Sequence, residues 1–403
     1  MLCSALAGCD TSVALNQPEQ AEAAAETSEE TAEEASETAE ASIESGDSDE
    51  ENLEITISDD SEEYVAEEEN VSDGEQNQQE NEGEDSTEGS EQEEAGDAAT
   101  EESVNVSTHD PNEVDLIFFM GQSNMSGVGG NPSLAPKVDE AAGHEYRAVS
   151  GIWSLFPIEE PFGVNENVPG AIYDFPGAKN GSLVSSFVNT YYKETSVPVI
   201  AVSASAGATT TDMWMTKPFA DDLSGRVKRA QDYLKNNGYK VRNQYVIWLQ
   251  GESDAHEGTT AAEYSEHMDN IIRPMFIAGF QKIFIITPGR TLSKKDHFKD
   301  IINAQIEMCR DSGYYALATT VLTAVSTEYM TDEWHYNQYV LNLVGEEAAK
   351  SAAYYANNHK EKVIYDYKND VTYIPSIFDY TGSETAEKLD VNAVLAEAKA
   401  AGK

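Results

Sequence analysis

The chain has 403 residues, 74 of them Asp or Glu against 25 Lys or Arg, for a net charge of −49. That balance excludes a nucleic-acid binder, because phosphate contacts need clustered Lys and Arg. The charge is also uneven: residues 1–110 hold 37 acidic residues and no basic one, so −37 lies there and −12 on the rest.

The first residues, Met1 to Asp10, are too short for a transmembrane helix, which needs about 20 apolar residues. Leu6-Ala7-Gly8-Cys9 is similar to the lipobox of bacterial lipoprotein signal peptides, which implies acylation of Cys9 and removal of Cys3 with the leader. The basic n-region and most of the apolar h-region are missing, so Met1 is expected to lie inside a longer signal peptide. An accidental four-residue match is the alternative. On the lipoprotein reading, residues 1–9 are leader and the protein sits on the extracellular face of a bacterial cell, touching the membrane only through its lipid.

Residues 10–111 are rich in Ala, Ser, Thr, Gln and Gly and nearly free of aromatics. Such a segment cannot bury enough apolar surface to offset its ordering entropy, and a disordered acidic tether is expected. At about 100 residues it spans roughly 55 Å as a neutral coil, and more with charge repulsion. The remainder holds all four Trp and is long enough for one large core.

Strand-length apolar runs follow at Val114 to Met120, Val197 to Val202, Tyr245 to Leu249, Ile283 to Thr287 and Tyr315 to Thr319. Helical periodicity fills Leu183 to Glu194, Leu223 to Asn236, Ala261 to Phe276, Phe298 to Arg310 and Tyr339 to Ala356. Continuous apolar strands separated by helices predict an α/β fold, a three-layer α/β/α sandwich around a parallel sheet of about five strands. Cys309, in the helical run from Ile302, reads as a buried apolar residue and not a catalytic thiol. The expected folded domain covers residues 112–358. Lys362 to Tyr367 and Val371 to Ile374 flank a turn and predict a hairpin in a C-terminal segment, 359–403, that ends in a surface helix or frayed tail.

In parallel sheets ligands bind beyond the carboxyl ends of the strands, so polar residues just after a strand are candidates for chemistry. The first strand runs into Gly121-Gln122-Ser123-Asn124-Met125, where the glycine allows a sharp turn that exposes the Ser123 hydroxyl. The bland reading of a serine in that place is a helix cap. A base is needed, and among seven histidines His335 is distinguished by Asp332 three positions before it. That spacing lets the carboxylate reach Nδ1 and fix the tautomer whose Nε2 accepts a proton; alternatively Asp332 caps the next helix. The run from Tyr245 ends in Gln250-Gly251-Glu252-Ser253-Asp254 and the run from Val197 leads into Ser205-Ala206-Gly207-Ala208. The Gln250 amide and the Gly207 N–H are candidate oxyanion donors. Trp153, Trp214 and Trp334 fall near strand ends, where a Trp either stacks on sugar rings or simply packs. No zinc spacing such as HExxH occurs.

Together, the GQSNM segment and Trp248-Leu249-Gln250-Gly251-Glu252-Ser253-Asp254 resemble the SGNH hydrolase superfamily, in the branch of acetylxylan esterases and sialate O-acetylesterases, over about Glu113 to Ala356. The resemblance implies a flavodoxin-like fold and a cofactor-free, metal-free serine esterase acting on acetylated carbohydrate. It makes Ser123 the nucleophile, His335 the base and Asp332 its orienting partner. The oxyanion donors would be the Ser123 N–H, the Gly207 N–H and the Gln250 side chain. Gly121, Gln122, Asn124, Glu252 and Asp254 would support the site, with Trp214 and Trp334 as substrate-binding candidates.

Two positions depart from the pattern. Ala208 stands where many relatives have a second Gly, which is costly if that position needs positive φ. Glu333 and Trp334 fill the stretch between Asp332 and His335, where Gly often follows the Asp. The competing readings are a surface carbohydrate-binding protein that has lost turnover and a lipid or short-chain ester hydrolase of the same superfamily.

Overall fold

The computed structural model describes residue 110 and residues 112–402; Cys9, the leader and nearly all of the expected tether lie outside the described residues. The apolar run after Asn112 forms β1, Glu113–Gly121, and all but its first residue are buried. It lies at the centre of a seven-stranded sheet. β2 (Gly143–Tyr146), β3 (Leu155–Pro157) and β4 (Val199–Ser205) stand on one side of it. β5 (Lys240–Leu249), β6 (Lys282–Ile286) and β7 (Tyr315–Thr319) stand on the other, giving the order β3-β2-β4-β1-β5-β6-β7. All neighbours pair in parallel except β2 with β3.

The five expected strands are all present. The expectation of about five strands missed two, the edge strands β2 and β3. β2 is the polar Gly-His-Glu-Tyr and β3 has only three residues, so neither carries an apolar run.

Alternate residues of β1 face opposite layers, as the strand period of two requires. Leu116, Phe118 and Met120 pack in one apolar cluster with α4 (Lys217–Asn236), α6 (Ala261–Ile277) and α7 (Lys299–Asp311). Ile117 and Phe119 pack in the other with α2 (Val184–Thr195) and α8 (Gln338–Asn358). This is the predicted three-layer α/β/α sandwich. α4 starts earlier than its apolar periodicity indicates, because Pro218 occupies the first turn, where its missing N–H costs nothing. α6 starts at a capping box between Thr260 and Glu263. Cys309 is fully buried, and desolvation pushes its thiol well above the ordinary value, as an inert core residue requires.

The hairpin forms as β8 (Ile364–Asp366) and β9 (Val371–Tyr373). The last helix, α9 (Val391–Ala401), is the expected surface helix and not a frayed tail: only Val391 and Leu395 are buried, in the cluster of α2 and α8. Among the described residues no helix is long and apolar enough to cross a membrane.

Candidate active site

β1, β4 and β5 are adjacent and parallel, so their carboxyl ends converge. The turn after β1 is fastened to both neighbours: the Ala206 N–H donates to Gly121 O at 2.9 Å and the Gln122 N–H donates to Leu249 O at 3.0 Å. Gly121 has φ +137°, and a Cβ there would lie 2.0 Å from Leu249 O. Only glycine fits. The chain then enters the one-turn helix α1 (Ser123–Ser126). Ser123 is its first residue and not its cap, so its N–H has no intrahelical acceptor.

Ser123 and His335 border one cavity of about 780 Å³ together with Gln122, Gly207, Glu252 and Trp334. No hydrogen bond joins the serine hydroxyl to the ring among the described residues; in unliganded sites this contact often tightens only with substrate bound. His335 stands on a loop pinned by a bridge between Met330 and Tyr336 and by the Thr331 N–H donating to His335 O at 2.8 Å. Asp332 does not cap the next helix; Asn337 does, accepting from the Val340 N–H.

Instead, Asp332 holds the ring: its oxygens lie 2.7 and 3.0 Å from His335 Nδ1 and also accept from the Trp334 and His335 N–H groups. Burial pushes the Asp332 pKa up, but the bond from the ring and those from the two N–H groups outweigh it and hold the carboxyl below its ordinary value. Of the two readings the spacing left open, contact with the ring and not the helix cap is the one the structure shows.

Asn124 ties the two halves of the site. Its Nδ2 donates to Glu252 Oε1 at 2.7 Å and to Trp334 O at 3.1 Å, and its Oδ1 accepts from the Tyr336 N–H. Gln122 Oε1 accepts from the Ser253 N–H at 3.2 Å, fixing the turn to the end of β5. Glu252 is buried, and desolvation raises its pKa despite the Asn124 bond. Asp254 accepts from the Thr211 N–H and hydroxyl and from Gln250, which binds the β5 end to the segment after β4. The supporting positions thus organise the loops.

Two expectations are corrected. Gln250 is 0% exposed and does not border the cavity; its Nε2 donates to Thr209 O at 2.8 Å and to Asp254, and its Oε1 accepts from Tyr264. Its amide is already satisfied in the interior and is not placed as an oxyanion donor. Trp214 is 1% exposed, packs edge-on against Phe219 and Trp248, and borders a separate cavity of about 270 Å³. It is a core residue, because the helix that carries it, α3 (Thr211–Met215), turns it inward. Trp153 is 84% exposed and away from the cavity. Of the three tryptophans only Trp334 borders it, packed edge-on by His256 at 5.3 Å.

Gly207 is where it was expected, beside Ser123: a Cβ on it would lie 3.7 Å from Ser123 Cβ. Its N–H donates to Asp174, whose other oxygen accepts from the Ser126 hydroxyl and pairs with buried Lys179 at 3.0 Å. Asp174, Tyr173 and Phe175 come from a loop without periodicity, and nothing in the sequence signalled them. An oxyanion takes the Gly207 N–H only by replacing the Asp174 oxygen.

Ala208 has φ +54°, the left-handed conformation anticipated for the glycine it replaces. Ala208→Gly should therefore raise the free energy of unfolding by about 0.5–1 kcal/mol. A urea midpoint that stays put or falls would show that the Ala208 backbone is not strained.

The sheet order, the serine turn after β1 and the Asp332–His335 loop after β7 are an arrangement that suits a carboxylic ester hydrolase. A family model described as carbohydrate esterase, sialic acid-specific acetylesterase matches residues 113–354, more than half of the chain. The chain belongs to that family, and it is an O-acetylesterase in kind. A search among curated proteins found no match.

Solved structures similar to the chain include a protein from Arabidopsis thaliana, 19% identical over 62% of this chain and 99% of that one, with a TM-score of 0.42. A novel carbohydrate acetylesterase from Xanthomonas citri is 16% identical over 62% and 58% of the two chains, with a TM-score of 0.40. The psychrotrophic esterase EstA from Pseudoalteromonas sp. is 13% identical over 60% and 100%, with a TM-score of 0.33.

Proposed function

We propose that this protein releases acetate from acetylated carbohydrate through an acetyl-serine intermediate. The observation that carries the reading is that His335, its ring held by Asp332, borders one cavity with Ser123 beyond the carboxyl ends of the strands. Ser123 Oγ attacks the acetyl carbonyl carbon while its proton passes to His335 Nε2. The Ser123 N–H, with the Gly207 N–H once Asp174 yields it, receives the oxyanion. Collapse breaks the bond to the sugar oxygen, which takes the proton from Nε2. Water, deprotonated by the same nitrogen, then attacks the acetyl-serine; the bond from the acyl carbon to Oγ breaks, Oγ takes the proton back from Nε2, and acetate departs. Asp332 keeps the proton on Nδ1 throughout.

Brief exposure to p-nitrophenyl acetate followed by an acid quench should leave an acetyl group on the peptide containing Ser123, with a matching burst of p-nitrophenol. Turnover without either signal rejects the covalent route.

The lipobox-like Leu6-Ala7-Gly8-Cys9 supports attachment to a bacterial cell surface through Cys9. Mass spectrometry of the membrane fraction should find Cys9 acylated; an unacylated full-length product in the soluble fraction rejects that location.

A further inference from the structure

The cavity's charge points to a class of sugar that its family description does not. Four of the side chains bordering it end in carboxyl groups, Asp174, Asp212, Glu252 and Glu257, and none is Lys or Arg. The nearest buried cation, Lys179, lies 3.0 Å from Asp174, and both side chains are almost fully enclosed, so its charge is matched inside the wall. Burial pushes Glu252 toward its neutral form. Asp212 and Glu257 are exposed, and among the described residues neither has an ion-pair partner. They set the potential that an entering substrate meets.

Recognition of a carboxylate calls for a guanidinium fork, an ammonium group or free N–H donors aimed at it. The cavity's side-chain donors include the neutral Gln122 amide and the hydroxyls of Tyr173, Thr210, Ser253 and Thr259, and its basic side chains are two imidazoles. One, His335, is bonded to Asp332, and the other, His256, packs edge-on to Trp334. Sugar hydroxyls, by contrast, are donors that carboxylates accept. The rings of Tyr173, Phe175 and Trp334 border the same space and suit the apolar faces of a pyranose.

Resting on the acetylesterase reading above, we infer that the site selects neutral acetylated glycans and discriminates against acetylated sugars that carry a carboxylate, such as sialic and uronic acids. The test compares one O-acetylated sialoside with its carboxamide, which removes the charge without adding a second ester, and measures acetate release by the full chain. At low salt kcat/KM should be about 10-fold higher or more for the carboxamide, and the ratio should shrink as ionic strength rises. The double variant Asp212→Asn, Glu257→Gln should bring the ratio several-fold closer to one.

Equal or faster turnover of the free carboxylate overturns the inference while leaving the acetylesterase reading intact. A ratio unmoved in the double variant overturns the assignment to Asp212 and Glu257. If neither sialoside nor an acetylated xylo-oligosaccharide yields acetate, the acetylesterase reading itself falls and this inference with it.

Discussion

Ser123→Ala should lower kcat for an acetyl ester by about 10⁴–10⁶-fold, leaving only what binding and the backbone donors contribute. The size follows from the chemistry: without Oγ there is no acyl-enzyme, and His335 has no proton to take from the protein. The fold should survive, because Ser123 is partly exposed on the cavity wall and its side chain is not part of the apolar clusters. Circular dichroism and thermal midpoint should therefore match wild type while acetate release vanishes. Equal rates in the two proteins would remove Ser123 from the mechanism. A wild type with no turnover would favour a surface carbohydrate-binding protein.

Asp332→Asn should cost about 10³–10⁴-fold in kcat with little change in KM. The asparagine oxygen can still accept from the Trp334 and His335 N–H groups, so the loop keeps its shape. What changes is the group facing Nδ1. An amide N–H there favours the tautomer whose Nε2 carries the proton, which cannot serve as a base. The Asp332 carboxyl is held below its ordinary value, with burial opposing and the ring and N–H bonds prevailing. Because the folded pKa is the lower one, the stability it contributes is present above the unfolded value and is lost as pH falls through the folded value. Wild type should thus keep this carboxylate charged across neutral and mildly acidic assays, and raising the pH should not rescue the variant. A loss of less than 10-fold would reassign Asp332 to loop structure.

Much of the scaffold was legible because the strands buried on both faces are continuous apolar runs, as β1 and β6 show. The Asp332–His335 pair was legible only in part: both ends lie within one short loop, so the spacing permits the contact, but it permits a helix cap as well, and the family resemblance chose between them. Gln250 and Trp214 were misjudged for another reason. Each sits beside a strand end in sequence, but side-chain direction there is decided by remote partners: Tyr264 and Asp254 for the amide, Phe219 and Trp248 for the indole. Asp174 was invisible, since its contact with Gly207 joins two loops that share no local pattern.

The pinned loop between Met330 and Tyr336 separates two kinds of precision. The carboxylate and the ring ride on the same short span of backbone, so any shift of the surrounding layers carries them together and their mutual spacing is a local property. The gap from the ring to Ser123 Oγ is instead accumulated across β1, β5, β6 and β7, and every layer's tolerance enters it. Warming or mild denaturant should therefore detune delivery of the proton well before it disturbs the tautomer, and activity should fade while the His335 imidazole signal still reports an intact partner.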